Sequence, residues 1–448
     1  MLKIYPISLG CPKNRVDTEK YLGALSATLS ESSEDADLVF INTCGFIQPA
    51  IAESVKIILE EIKTRTVYQK NNSDSHTKIV VAGCLVGRYG QGALQEELSE
   101  VDLWLDNKDT SNWADLTLNF LNQDEALKNK VNKINYQGRF LTTAPSYAWL
   151  KVSDGCEHNC AFCTIPSIRG KLRSRKIIDI HSEAKMLVDG GVKELVLVAQ
   201  DLLSWGKDLD KTEKKHGIQS VLEKLLSLQG LARLRLMYLY PAGLTKELLS
   251  FLQGAGKPFV PYFDIPLQHS HPDILRTMGR PFAQNPELVL DRVREYFPEA
   301  ALRTSLIVGY PGEKEKHFEH LMNFVEKQRF THLGVFSFQA EEGTPAALLE
   351  QKKSQKVSQK LKEERRKNLM LLQKEISADN LSKYLGHELE FLVDSVHPEW
   401  EGLHVARAWF QAPEVDGVSF ISGKNVAPNK IIKGEVVETQ DYDLSALA

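Results

Sequence analysis

Two stretches of this 448-residue chain alternate short apolar runs with amphipathic segments, and that alternation admits few folds. It is the pattern of βαβ units, whose parallel strands are covered on both faces and therefore read as continuous Val/Ile/Leu runs. In the first hundred residues the predicted strands are Leu2 to Leu9, Asp37 to Thr43, Lys78 to Ala82 and Val101 to Leu105. Helices are predicted over Val16 to Leu29 and Pro49 to Ile62, the second opening on a proline suited to a first helical turn. A polar stretch from about Asp109 to Ser146 reads as a terminal helix and a linker. The second series then offers six strands, Ala148 to Ser153, Glu194 to Ala199, Arg233 to Tyr238, Tyr262 to Ile265, Leu302 to Val308 and His332 to Phe336, which suits an open or partial (βα) barrel.

Beyond these series, Gln351 to Glu375 reads as one long helix, with Val357, Leu361, Leu372 and Ile376 near helical spacing and lysines elsewhere, a solvated connector. Gly386 to Val437, rich in Val, Phe and Trp with interspersed turn residues, reads as a small β-barrel. The length exceeds a single hydrophobic core, so three domains are expected, 1–140, 141–378 and 379–448. With 42% hydrophobic and 25% charged residues the chain has the balance of a globular protein, and it contains no apolar run of the roughly 20 residues that span a bilayer. The N-terminal residues carry no secretory pattern, so the cytoplasm is the expected compartment.

That setting makes the six cysteines informative, because in a long cytosolic chain clustered thiols point to metal or redox chemistry rather than disulfides. Cys156, Cys160 and Cys163 form a Cys-x3-Cys-x2-Cys run directly after a predicted strand. Three thiolates on one loop can ligate three irons of a cubane cluster and leave the fourth open to an exogenous ligand. Structural zinc is the alternative; it wants four ligands, and the nearby candidate, His158, lies awkwardly inside the loop. Cys11, Cys44 and Cys84 each follow a predicted strand of the first series, and in an open parallel sheet those loops face one edge. Any one of them fits a small buried hydrophobe, but three in equivalent positions, each beside a glycine (Gly10, Gly45, Gly83), point to a second cluster with an open iron.

The wording of the motifs carries a resemblance. Ser8-Leu9-Gly10-Cys11-Pro12-Lys13-Asn14, Ile41-Asn42-Thr43-Cys44-Gly45-Phe46-Ile47, Ile165-Pro166-Ser167-Ile168-Arg169-Gly170, Asp264-Ile265-Pro266-Leu267-Gln268-His269-Ser270 and Ile307-Val308-Gly309-Tyr310-Pro311-Gly312-Glu313 resemble motifs of the radical S-adenosylmethionine (SAM) methylthiotransferases. Cys-Pro-Lys-Asn resembles the branch that modifies a ribosomal protein. The likeness runs over essentially the whole chain, with a local departure at Leu202-Leu203-Ser204, where the family commonly has small hydroxyl residues. It implies an α/β architecture of an open parallel N-terminal domain, a central partial (βα) radical SAM barrel and a small C-terminal TRAM-like β-barrel.

The resemblance also implies two four-iron four-sulfur clusters, on Cys156/Cys160/Cys163 and on Cys11/Cys44/Cys84, with SAM as cofactor at the first and the transferred sulfur at the second. The product is a methylthio group on the β-carbon of an aspartate in the twelfth small-subunit ribosomal protein. Hydrogen abstraction from such a carbon lies beyond side-chain acid-base chemistry, so no acid or base is assigned. Phe162, Gln200 and Gln268 are candidates for SAM or substrate contact, Phe162 by stacking on adenine or shielding the cluster; each reads equally as an ordinary loop or packing residue. The expected partners are a basic ribosomal protein, free or within the small subunit, and an electron donor such as flavodoxin or ferredoxin. From Leu381 onward five Lys/Arg face eleven Asp/Glu, a balance unsuited to phosphates, so nucleic acid is not expected as direct substrate. Two alternatives stay open: a transfer-RNA methylthiotransferase, favoured by the basic helix with Arg169, Arg173 and Arg175, and a non-catalytic iron-sulfur protein for electron transfer or redox sensing.

Overall fold

Leu38–Thr43 is buried at every position, as is all but the first residue of Lys78–Gly83, and strands covered on both faces belong in the middle of a parallel sheet. A computed structural model, which describes residues 2–72, 76–130, 138–210 and 216–448, places them there. The first sheet runs β2 (Thr28–Leu29), β1 (Lys3–Ser8), β3 (Leu38–Thr43), β4 (Lys78–Gly83) and β5 (Leu103–Asp106), all parallel. One face packs Tyr21 on Phe40, ring centroids 4.0 Å apart, with Trp113 edge-on. The other buries Ile51, Ile58 and Ile62 of the helix Gln48–Asn71 against Val39, Ile41 and Val81.

Two helix boundaries differ from the sequence reading. The first helix spans Pro12–Ala24 rather than Val16 to Leu29, because Pro12 presets its first turn immediately after Cys11. It ends before Thr28–Leu29, which pairs as a short edge strand with β1. The second continues to Asn71, through a half whose polar face leaves no apolar stripe to read. The expected linker falls partly on 131–137, outside the described residues.

Chain contacts divide the molecule into two units, residues 1–142 with 155–157 and 164–171, and residues 143–154, 158–163 and 172–448. In the second unit, the six expected strands form one parallel sheet. They are β6 (Tyr147–Lys151), β9 (Glu194–Val198), β10 (Arg233–Leu236), β11 (Phe259–Asp264), β12 (Ala301–Val308) and β13 (His332–Ser337), in that spatial order. The short pair β7 (Ser153–Asp154) and β8 (Arg173–Ser174) lies apart from it.

A closed five-stranded barrel follows, β14 (Glu388–Val396), β15 (Leu403–Arg407), β16 (Ser419–Ser422), β18 (Leu444–Leu447) and β17 (Ile431–Thr439), so its closing strand lies beyond the Val437 limit read from sequence. It rests on the starting ends of the sheet strands. Arg407 meets Glu194, the first residue of β9; Arg233, the first of β10, donates to the Arg407 and Glu390 carbonyls; Tyr147, the first of β6, donates to Glu414 at 2.6 Å. Asp394, Glu414 and Asp416 are thus consumed inside the unit, and the outward acidity of the barrel is smaller than its composition implies.

The helix Gln359–Ser382 is not the solvated connector expected. Lys362, Arg365, Leu369, Gln373 and Ile376 form its buried stripe, with Lys362 bonded to the Phe338 carbonyl at 3.1 Å and to Glu350, and Arg365 to Glu313 at 2.8 Å. The Lys362 and Arg365 stems fill the apolar seam while their charges find internal partners, so two of the helix's basic residues face inward while Lys360, Arg366, Lys367 and Lys374 stay exposed. No described helix is long and apolar enough to cross a membrane.

Candidate functional site

Because β1, β3 and β4 are adjacent and parallel, the residues following them emerge at the same sheet edge. Cys11, Cys44 and Cys84 are those residues, and the structure brings them together. A Cβ on Gly10 would lie 2.9 Å from Cys44 Cβ and 3.1 Å from its Sγ, and one on Gly45 would lie 2.5 Å from the Cys84 carbonyl oxygen. Gly10 and Gly83 also have φ of +85° and +101°, so these two are required by both space and backbone, and Gly45 by space alone.

Around the thiols sits a polar cradle. Arg169, buried in the helix Ile165–Arg169, donates through Nε to Cys84 Sγ at 3.4 Å, pairs with Asp17 at 3.3 Å and bonds Asn14. Asn107 Nδ2 reaches the same sulfur at 3.6 Å. Asn14 Nδ2 in turn donates to the Leu9 and Thr43 carbonyls, tying the loops after β1 and β3 together. Burial pushes the Cys44 thiol up to about 12, helped by the neighbouring Cys84 and Cys11, against the Phe46 amide and Arg169. Burial works the same way on Cys11, yet Lys13, Arg169 and the amides of Asn14 and Lys13 outweigh it and lower its pKa. The Arg169 guanidinium and the Asn107 amide N–H, both directed at the buried Cys84 sulfur, suit an anionic thiolate-ligated group, as an iron-sulfur cluster is.

The second cysteine set lies on one eight-residue loop. Cys156 donates its amide to the Gly170 carbonyl at 3.2 Å. Cys163 donates to the Cys160 carbonyl at 3.0 Å, and the loop between them is held by Ala161, whose amide bonds the Met278 carbonyl and whose carbonyl accepts from Ala346. Arg280 Nη1 donates to Cys160 Sγ at 3.4 Å. His158 is not aimed at a zinc ligand's role: its Nε2 lies 2.7 Å from Asp201 and its ring stacks on Tyr240 at 3.6 Å. Sequence reasoning missed Arg280, for which no motif gave a signal, and assigned Arg169 to a phosphate-binding patch when it is buried on Cys84.

The three other candidates stand as follows. Phe162 is partly buried against Ile274, Met278, Tyr310, Phe338 and Ala346, an apolar wall behind the loop. Gln200, just past β9, donates to Asp154 at 2.9 Å while its Oε1 is buried with no hydrogen-bond partner among the described residues. Gln268, past β11, has φ +76° and is pinned by bonds to the Ser305 carbonyl and the Ile307 amide. Such a left-handed non-glycine residue held from both sides stores strain of the kind found at ligand sites.

A second group with metal-ligand spacing among the described residues is His271, Asp273 and His317. Nδ1 of His271 accepts from the Asp273 amide and Nδ1 of His317 from the Lys314 amide, and burial lowers both pKa values. Neutral rings that accept at Nδ1 carry their proton on Nε2, so this group presents protons, not lone pairs, and does not suit a cation.

Family comparisons agree with this layout: "Radical SAM superfamily" matches residues 150–325, "Uncharacterized protein family UPF0004" residues 3–106 and "TRAM domain" residues 385–448. A ribosomal protein uS12 methylthiotransferase RimO of Nitratidesulfovibrio vulgaris is 53% identical over 450 residues, covering 100% of both chains. The chain belongs to the RimO family of radical SAM methylthiotransferases. The RimO protein of Aquifex aeolicus is 39% identical over 452 residues, covering 99% of this chain and 96% of its own. Among solved structures, the radical SAM methyltransferase TsrM from Kitasatospora setae superposes with a TM-score of 0.52 at 12% identity, over 77% of this chain and 73% of that one, a likeness of fold. Membership in the family makes the chain a radical SAM methylthiotransferase, with SAM and four-iron four-sulfur chemistry as its cofactors.

Proposed function

We propose that this protein inserts a methylthio group at the β-carbon of an aspartate in ribosomal protein uS12, using one cluster on Cys156, Cys160 and Cys163 and a second on Cys11, Cys44 and Cys84. The observation that carries the two-cluster reading is the convergence of three thiols from three adjacent strand ends onto one arginine-lined cradle. When bound, the first cluster supplies the electron that splits SAM and the second supplies the sulfur.

The chain's own residues divide the remaining work. Arg169 and Asn107 hold the Cys84 sulfur, and Asn14 fixes the loops after β1 and β3 that orient the second cradle. Gln200 and Gln268, past strand ends of the six-stranded sheet, would bind SAM or substrate, and Phe162 would shield the loop with its apolar wall. The functional division proposed is 1–140 for sulfur donation, 141–378 for SAM cleavage and 379–448 for substrate encounter.

Steering, rather than gripping the reacting carbon, is the role that suits the terminal barrel. It contacts the starting ends of strands 4 to 8 residues long, and at about 3.3 Å per residue the opposite edge lies roughly 13–26 Å away. Its remaining acidic side chains favour approach of a basic protein. The transfer-RNA reading loses part of its basic set, because Lys362, Arg365 and Arg169 are buried and Arg175 is paired with Glu183 at 2.6 Å, while Lys360, Arg366 and Lys367 stay exposed. The electron would come from a small low-potential donor such as flavodoxin or ferredoxin, in the cytoplasm.

Mass spectrometry of uS12 and of bulk transfer RNA from cells with and without the gene tests the reading. A methylthio shift on the protein that disappears with the gene is expected. Its loss from RNA alone would overturn the substrate assignment.

A further inference from the structure

Arg280 is a buried cation whose contacts among the described residues do not include a carboxylate. Its side chain belongs to a residue only 8% exposed, and among the described residues it meets Cys160 Sγ at 3.4 Å, the Pro266 carbonyl and the face of Tyr240, 4.5 Å from the ring centroid. Its Nε–H is buried without a hydrogen-bond partner among those residues. Burying a guanidinium is costly unless an anion lies alongside, and a carbonyl, a thiol and a ring face do not amount to one. The cradle of the other cysteine set differs on this point, since Arg169 has Asp17 at 3.3 Å to offset its charge.

We infer that Arg280 sets the reduction potential of the cluster held by Cys156, Cys160 and Cys163, by an N–H···S bond to Cys160 and an uncompensated positive charge beside it. The inference rests on the proposed ligand set. Reduction delivers one electron from an external low-potential donor to the cluster and adds one negative charge to an already anionic thiolate group, with no proton taken up. A fixed cation next to a ligating sulfur stabilises the more negative state, and hydrogen bonds to cluster sulfurs act in the same direction, so both raise the potential. Three constraints keep the guanidinium from swinging away: the Pro266 carbonyl, the Tyr240 face, and behind that ring the stacked His158 anchored on Asp201. Arg280 also follows Met278 and Gly279, and the Met278 carbonyl accepts from the Ala161 amide. A Cβ on Gly279 would lie 3.1 Å from the Asn159 carbonyl oxygen, so the segment that carries the charge lies against the cysteine loop. Arg280 acts on the reaction through Cys160 and is a positioning residue, not a catalytic one.

The test is a dithionite-poised redox titration of the reconstituted full-length protein, following the EPR signal that changes when SAM is added, in wild type, Arg280→Gln and Arg280→Lys. With iron content unchanged, Arg280→Gln should lower the reduced-to-oxidised ratio at fixed potential at least tenfold, which is a fall of about 59 mV for a one-electron couple. Arg280→Lys, which keeps the charge and loses the planar fork, should recover most of that shift. An unchanged midpoint in an iron-replete Arg280→Gln protein overturns the inference. So does parallel loss of iron in both variants, which would make Arg280 a structural support for the loop. Failure of the underlying ligand assignment shows differently: the SAM-responsive signal would then survive Cys160→Ala in the otherwise wild-type chain.

Discussion

Arg407 Nη1 lies 2.6 Å from Glu194 Oε2, with both side chains buried, and this pair joins the terminal barrel to the first residue of a sheet strand. Arg235 holds the other oxygen of Glu194 at 2.6 Å and Asp394 takes the remaining face of Arg407 at 2.7 Å, so the charges alternate through the interface. Burial alone would raise the Glu194 pKa; Arg235, Arg407 and Arg233 overcome it and hold the group at about 2. Deleting one member of such a network leaves an uncompensated buried charge. Glu194→Gln should therefore destabilise the chain by about 3–5 kcal/mol in chemical denaturation followed by tryptophan fluorescence.

The same carboxylate predicts an acid limit. Its folded pKa is depressed below the ordinary 4.5, so its contribution is complete above about pH 4.5 and declines as pH falls from there through about 2. The stability gap between wild type and Glu194→Gln should hold steady from pH 7 to 5 and narrow below 4.5, as read by denaturation midpoints. A gap that is flat down to pH 2 would contradict the assignment.

The two cysteine sets should separate in single variants. Cys160→Ala is expected to abolish reductive SAM cleavage, measured as deoxyadenosine formed. Cys44→Ala should retain cleavage and lose methylthiolated product. If the Cys44 variant still makes product, the division of labour between the clusters is wrong.

Gly83 has φ +101° and lies where a Cβ would sit 2.3 Å from Asn42 Oδ1 and 2.6 Å from the Thr43 carbonyl oxygen. Gly83→Ala should cost at least the roughly 1–2 kcal/mol of a left-handed alanine, more with the overlap, and push Cys84 from the cradle. Iron content should fall by about one cluster while SAM cleavage persists.

Arg169→Leu removes the Nε–H to Cys84 and leaves Asp17, whose side chain is 1% exposed, without that cation. Loss of the second cluster's iron together with about 3–5 kcal/mol of stability is expected, by the same argument as for Glu194. Comparing iron content in Arg169→Leu and Arg169→Lys separates charge from fork geometry.

Much of the fold was legible because parallel strands are buried on both faces. Runs such as Leu195-Val196-Leu197-Val198, short and rich in valine, suit such strands better than a helix, and all six strands of the second sheet were found within a few residues. Boundaries were less legible where geometry rather than apolar pattern decides. Pro12 starts the first helix a turn early, and the polar half of Gln48–Asn71 has no stripe to count. The long helix misled because Lys362 and Arg365 read as solvated charges, while their stems fill a seam and their heads find Glu350 and Glu313.

By itself the sequence determined the alternation of strands and helices, the loop carrying Cys156, Cys160 and Cys163, and the position of Cys11, Cys44 and Cys84 after strands, since these depend on local periodicity and on neighbours along the chain. Only the tertiary structure decided that β1, β3 and β4 are adjacent, so that three distant thiols share an edge, and that Arg169 and Arg280 each end on a sulfur. A guanidinium's partner 85 or 120 residues away is set by packing of the elements between, and nothing in the residue itself distinguishes a buried charge aimed at a thiolate from one that faces water.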